Sequence, residues 1–355
     1  MLRERNENLK YEKDGGLADA FNNLANLHSE QSKYETAQDY AKRSLDVTLG
    51  LFLPENPELV RKLPQLLLGY GEDGNRLAVT TITQQARSLI RNSIGEKRVY
   101  LANRLNNLGE LYRERGRYDE AETYFVVALA FYASTLGVSS DSYARTLTNL
   151  GLMYNLAGRY GEAEPRLLQA LAIRKALYTP DHPEMAHSLF NLALLYDNQK
   201  RYSEAEPLYR QALEIREKML GVTHPKTILT RDTLSGFYLR QHKLQEAEPL
   251  IRRRLQIQEQ TLGIAHPEVV GLLRTLAFIN SELANYSESL VLYQRLIPLL
   301  EKEFGHDNPV LIPDLTAYAA VLRKTNRTEE AKKIQERIKA LKGSLPPARQ
   351  KEHDT

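Results

Sequence analysis

The chain contains no cysteine. That absence removes disulfides, thiolate metal sites and cysteine nucleophiles together, and it fits a reducing compartment. Long apolar runs are missing as well. No stretch approaches the ~20 residues that a bilayer-crossing helix needs, and Met1-Leu-Arg-Glu-Arg-Asn lacks the apolar core of a signal peptide. The expectation is a cytoplasmic protein without membrane contact. Nor does one sign of charge dominate: 48 basic and 45 acidic residues leave a net charge of +3, which provides no general attraction for nucleic acid.

The usual signatures of chemistry are absent too. There is no Walker A sequence and no G-x-S-x-G. Gly69-Tyr-Gly71-Glu-Asp-Gly74 matches G-x-G-x-x-G by letter, but it follows a helical pattern where a strand is required, and Glu72 and Asp73 would repel a phosphate. His182, His224 and His266 recur one repeat apart, too far to converge on one metal when helices stack roughly 9 Å apart. They read as linker and capping residues. Arg252-Arg-Arg254 reads as a solvated outer face. No catalytic residue, metal site or cofactor is expected, and the chain reads as a non-enzyme.

What the chain has is a period of 42 residues. Tyr34, Tyr118, Tyr160, Tyr202 and Tyr286 each open a Y-x-E-A-like segment, and Leu244-Gln-Glu-Ala and Thr328-Glu-Glu-Ala fall on the same grid. Between Tyr34 and Tyr118 the grid lands on Arg76, where the motif has decayed to Arg-Leu-Ala-Val. Eight repeats therefore account for residues 17–342, between an N-terminal arm (1–16) and a flexible tail (343–355). A fixed period of this size implies a solenoid whose units bury their apolar faces against their neighbours. The second repeat is expected to be a weak joint, because Pro64, three glycines and Val79-Thr-Thr-Ile-Thr disfavour helix over residues 64–83.

Each repeat carries two helical patterns separated by a turn. Leu147, Leu150, Met153 and Tyr154 recur at three- and four-residue intervals, Gly158 breaks the run, and Ala163, Leu167, Ala170, Leu171 and Ile173 begin another. Glycine is expected in the left-handed turn, as at Gly74 and Gly116. Ser203 with Glu206 and Asp119 with Glu122 read as capping boxes for second helices. Pro165, Pro207 and Pro249 are expected in the first turn of those helices, and the His-Pro pairs ending at Pro183, Pro225 and Pro267 at the start of the next ones. Leu24 to Leu276, Tyr70 to Tyr238 and Ala37 to Ala331 each hold one grid position and form the candidate core.

Gly151, Tyr154, Ala163 and Ala170 stand at the spacing of the tetratricopeptide repeat signature. With eight extra residues and the L-G-x-x-H-P linker, the repeat resembles the variant of kinesin light chain and its bacterial relatives. The resemblance implies an all-α, right-handed superhelical solenoid of about eight helical hairpins, with first helices lining a concave groove. Asn23, Asn107, Asn149 and Asn191 hold one place in four first helices, where asparagine is unfavourable by roughly 0.5 kcal/mol relative to alanine. By the resemblance they face the groove, together with Asn103, Asn106, Glu110, Arg145, Thr148, Asp232 and Arg274. The implied role is an adaptor that binds a peptide segment of another protein. The alternatives are a sensor of a short peptide or small effector, and self-association; no nucleic acid or membrane partner is expected.

Overall fold

The computed structural model describes residues 2–52 and 95–343, with side chains for 16–48 and 98–343. The decayed repeat at Arg76, with its weak joint and glycine-rich motif, and the tail beyond Gly343 lie outside the described residues. Among those described there are 14 α-helices and no strand. They are α1 (Leu2–Glu30), α2 (Tyr34–Phe52), α3 (Gly95–Glu114), α4 (Tyr118–Thr135), α5 (Asp141–Leu156), α6 (Tyr160–Leu177) and α7 (Pro183–Asn198). Then follow α8 (Tyr202–Leu220), α9 (Pro225–Arg240), α10 (Leu244–Leu262), α11 (Pro267–Glu282), α12 (Tyr286–Phe304), α13 (Ile312–Lys324) and α14 (Thr328–Gly343), with a 3-10 turn at Pro309–Leu311. Seven hairpins result, and α1 runs through the boundary expected between arm and array.

The first helix of every hairpin ends in the same left-handed turn. Ser32, Gly116, Gly158, Lys200, His242, Ala284 and Asn326 all have φ between 57° and 72° and fall on the 42-residue grid. The next residue's amide reaches back five positions, as Arg159 N does to Tyr154 O (2.8 Å) and Arg201 N to Tyr196 O (2.8 Å), which satisfies carbonyls the helix leaves open. Glycine fills only two of these seven positions.

First helices start as the His-Pro pairs suggest. The Nδ1 atoms of His182, His224 and His266 accept from the amides of Glu184 (3.2 Å), Lys226 (3.2 Å) and Glu268 (3.3 Å), with proline as the first helical residue. Asn308 does the same for Val310 N at 3.0 Å. Second helices start differently from expectation. Arg117 is the N-cap of α4 and makes no side-chain cap, so Asp119 lies inside the first turn, and Ser203 likewise lies within α8. Pro165, Pro207 and Pro249 are interior residues one turn further in. Each helix continues past its proline on packing contacts, since propensity alone would break it.

The apolar grid positions are buried, including Leu108, Leu150, Leu192, Leu234 and Leu276, the tyrosines from Tyr112 to Tyr238, and every grid alanine that is described. Leu24, in the first hairpin, is exposed. Close approach within hairpins depends on small residues: a Cβ on Gly151 would stand 2.7 Å from Leu167 Cγ and 3.3 Å from Ala163 O.

The chain divides into two compact units, Met1–Ile215 and Arg216–Thr355. In the first, α2 packs directly on α3, and Asp19, Ser29 and Gln38 bond Arg104, Glu114 and Arg115 across this junction.

Candidate functional site

In the first unit the first helices are joined by a ladder of amides. Asn107 Nδ2 donates to Asn22 Oδ1 at 2.8 Å, linking α3 to α1. Asn149 Nδ2 donates to Glu110 Oε1 (2.5 Å) and Asn106 Oδ1 (3.2 Å), linking α5 to α3. Asn106 also donates to Glu110 Oε1 at 2.8 Å and accepts from Thr146 Oγ1 at 3.1 Å. Asn103 Oδ1 accepts from Tyr132 OH at 2.5 Å and from Arg145 Nη2 at 3.4 Å. At the α1 end, Tyr100 OH donates to Asp19 Oδ1 at 2.7 Å, and Arg104 lies 4.4 Å over the Tyr100 ring. Burial, with the Asp19 hydrogen bond, pushes the Tyr100 phenol up, so it remains a donor.

The ladder explains the recurring asparagine. Two of the four grid asparagines donate to the residue preceding their counterpart one described repeat earlier: Asn107 to Asn22, Asn149 to Asn106. Asn191 would meet Thr148, whose hydroxyl is engaged with Ala144 O at 3.0 Å, and it donates instead to His187 O at 3.0 Å within its own helix. Asn23 has no described repeat before it and is exposed. The expected site residues therefore fall into two groups. Asn106, Thr148 and Asn191 are only 2%, 1% and 3% exposed and support the surface from beneath. Asn103, Asn107, Glu110 and Asn149 are partly exposed, and Arg145 is exposed. Asn22, one place from the expected Asn23, is the residue that sequence reasoning missed; the doubled asparagines at 22–23 and 106–107 were its signal.

In the second unit the expected residues sit in separate ion pairs. Asp232 meets Arg254 at 2.9 Å, and Arg274 grips Asp314 bidentately at 2.7 and 3.0 Å. Burial raises the Asp232 carboxyl while Arg254 draws it down. Arg254 and Arg252 thus serve the fold, where the Arg252-Arg-Arg254 run suggested a solvated face.

The Y-x-E-A-E motif closes the junctions at the hairpin turns. Tyr154 OH donates to Glu122 Oε1 at 2.8 Å, and Arg159 binds both Glu122 (2.6 Å) and Glu162 (2.8 Å) with its guanidinium 4.4 Å over the Tyr154 ring. Tyr196, Arg201, Glu164 and Glu204 repeat the arrangement one repeat on. Burial and the facing carboxylates push both phenols up, which keeps them protonated donors. Among the described residues no group of three or more His, Asp or Glu side chains could hold a metal ion, and no helix is long and apolar enough to cross a membrane.

Two family models, both described as tetratricopeptide repeat, match residues 81–134 with 142–218 and residues 17–58 with 227–268, more than half of the chain. No curated protein matches. Among solved structures the chain is similar to the TPR-like repeats of a Podosopora anserina protein described as a kinesin light chain, at 26% identity and TM-score 0.48 over 56% of this chain and 94% of that one. It is also similar to BtubC (BKLC) from P. vanneervenii, at 17% identity and TM-score 0.41 over 69% and 94%. A third is a Rap protein complexed with competence and sporulation factor, at 16% identity and TM-score 0.43 over 84% and 98%. Tetratricopeptide arrays are typically non-catalytic scaffolds for protein–protein interaction, with the extended surfaces that repeat stacking creates. The chain belongs to the tetratricopeptide repeat family, in a 42-residue form that resembles the repeats of kinesin light chain.

Proposed function

We propose that this protein is a non-enzymatic adaptor that binds an extended or helical peptide segment of another protein along the first-helix face of its repeats. The observation that carries the reading is the amide ladder of α1, α3 and α5. It holds Asn103, Asn107, Glu110 and Asn149 in fixed orientation beside the exposed Arg145. Asn106 and Asn149 both donate to Glu110 Oε1, which leaves Oε2 outside the ladder as an acceptor for a guest. The amides can both donate to and accept from a peptide backbone, whereas Arg145 can donate and Glu110 can accept. Holding them in place before binding reduces the side-chain ordering that association would otherwise cost. Second helices carry long charged residues such as Glu214 and Lys175, which are exposed and suit a solvated face.

The test is affinity capture from the native host with the wild type, with Arg145→Glu combined with Asn103→Ala, and with the second-helix control Lys175→Glu combined with Glu214→Lys. The first-helix variant should lose the partners that the wild type and the control both retain. Equal retention by all three would refute the reading.

A further inference from the structure

Two junctions in the second unit lack the tyrosine that closes those of Tyr154 and Tyr196: at one the buried Leu322 stands in its place, and at the other Asn280. On the 42-residue grid Glu248 and Glu288 correspond to Glu164 and Glu204, but Tyr196 and Arg201 are replaced by Asn280 and Asn285. Arg252 takes over the arginine's role from α10. Its Nε donates to Glu248 Oε1 at 2.7 Å and its Nη1 to Glu288 Oε1 at 2.8 Å. No residue takes over the ring. Asn280 is spent on Leu276 O (2.9 Å) and accepts from Asn285 Nδ2 (3.4 Å). A cleft of about 410 Å³ opens at this place, lined by Gln245 and Leu283 as well as by these two asparagines, Glu248, Arg252 and Glu288.

We propose that the cleft receives a tyrosine side chain from a partner protein, its ring against the Arg252 guanidinium and its hydroxyl donating to Glu248. The template is internal to the molecule. At two other junctions a phenol donates to the carboxylate equivalent to Glu248, at 2.8 and 3.1 Å, under a guanidinium 4.4 and 4.1 Å from its ring centroid. The chemistry that holds those rings is present here: Glu248 Oε2 lies outside the pair with Arg252, and a guanidinium over an aromatic face is attractive. A phenylalanine would leave the carboxylate oxygen without its donor, and an aliphatic side chain would forgo the cation–π contact. The inference does not rest on the first-helix reading, because none of these residues belongs to the ladder.

The experiment is saturation-transfer NMR on the full chain with N-acetyl-tyrosinamide and, separately, N-acetyl-phenylalaninamide. Binding of the tyrosine probe is expected, and roughly fivefold weaker binding of the phenylalanine probe, the equivalent of one hydrogen bond. Two variants fill the cleft from within: Asn280→Tyr with Asn285→Arg restores the plan of the other junctions, and Asn280→Leu copies the buried Leu322 one repeat later. Both should abolish transfer from the tyrosine probe, and the first should also raise the melting temperature. Absence of transfer in the wild type, transfer that survives both fillings, or equal binding of the two probes would overturn the assignment.

Discussion

At the junction of α6 with α7, the buried Arg174 donates to Glu184 O (3.4 Å) and Ser188 Oγ (3.0 Å), while Leu189 fills the apolar position behind it. At the junction of α8 with α9 the same plan recurs, with Arg216 donating to Lys226 O (3.1 Å) and to Thr230. There, however, the grid leucine is replaced by a second arginine. Arg231 is 1% exposed where Leu105, Leu147, Leu189, Leu273 and Leu315 stand in other repeats, and it pairs with Glu217 at 2.6 Å and with Val222 O at 3.3 Å. A repeat array can therefore exchange one layer of its core for an ion pair, provided that every strong donor finds an acceptor. Such a pair contributes little net stability over a leucine, yet breaking it is expensive.

That contrast can be tested directly. Glu217→Ala should destabilise the protein by on the order of 3 kcal/mol, since it strands a buried guanidinium. Arg231→Leu should leave stability within about 1 kcal/mol of the wild type or raise it. Chemical denaturation of both variants decides the matter; equal losses would mean that Arg231 is needed for its charge. In the first unit the sensitive core position is Gly151, where Gly151→Ala drives a methyl group into Leu167 and should cost about 1–3 kcal/mol in the same assay.

Smaller effects sharpen the comparison between laddered and unladdered asparagines. Replacing Asn107 and Asn149 together by alanine should cost about 1–2 kcal/mol, because three cross-helix bonds are lost while helix propensity improves. Asn191→Ala, which removes only a bond within one helix, should change the melting temperature little. Equal effects would detach the ladder from stability. The smallest expected change is a gain: Ala284 holds φ 59°, so Ala284→Gly should stabilise by about 1 kcal/mol in thermal melts.

The hairpins, their core faces and the His-Pro helix starts could be read from the sequence, because each depends on spacing within one repeat. Relations between repeats were harder to read. The ladder pairs a residue with the one before its counterpart, so the alignment that revealed Asn23, Asn107, Asn149 and Asn191 also hid Asn22 as the partner of Asn107. The left-handed turn was recognised where glycine marks it and missed at Lys200, His242 and Ala284, where the backbone bonds of the turn hold a side chain in an unfavourable region. Asp119 and Glu122 had the letters of a capping box, but Glu122 is claimed by Tyr154 and Arg159 of the following repeat. Tertiary packing likewise carries Pro165 inside α6, against local preference.

The most direct test of the adaptor reading is hydrogen exchange on the free protein and on its complex with a captured partner. First helices α3 and α5 should gain protection around residues 103–110 and 145–149 on binding, with α4 and α6 unchanged. Protection confined to α4 and α6, with the first helices exchanging as in the free protein, would contradict it.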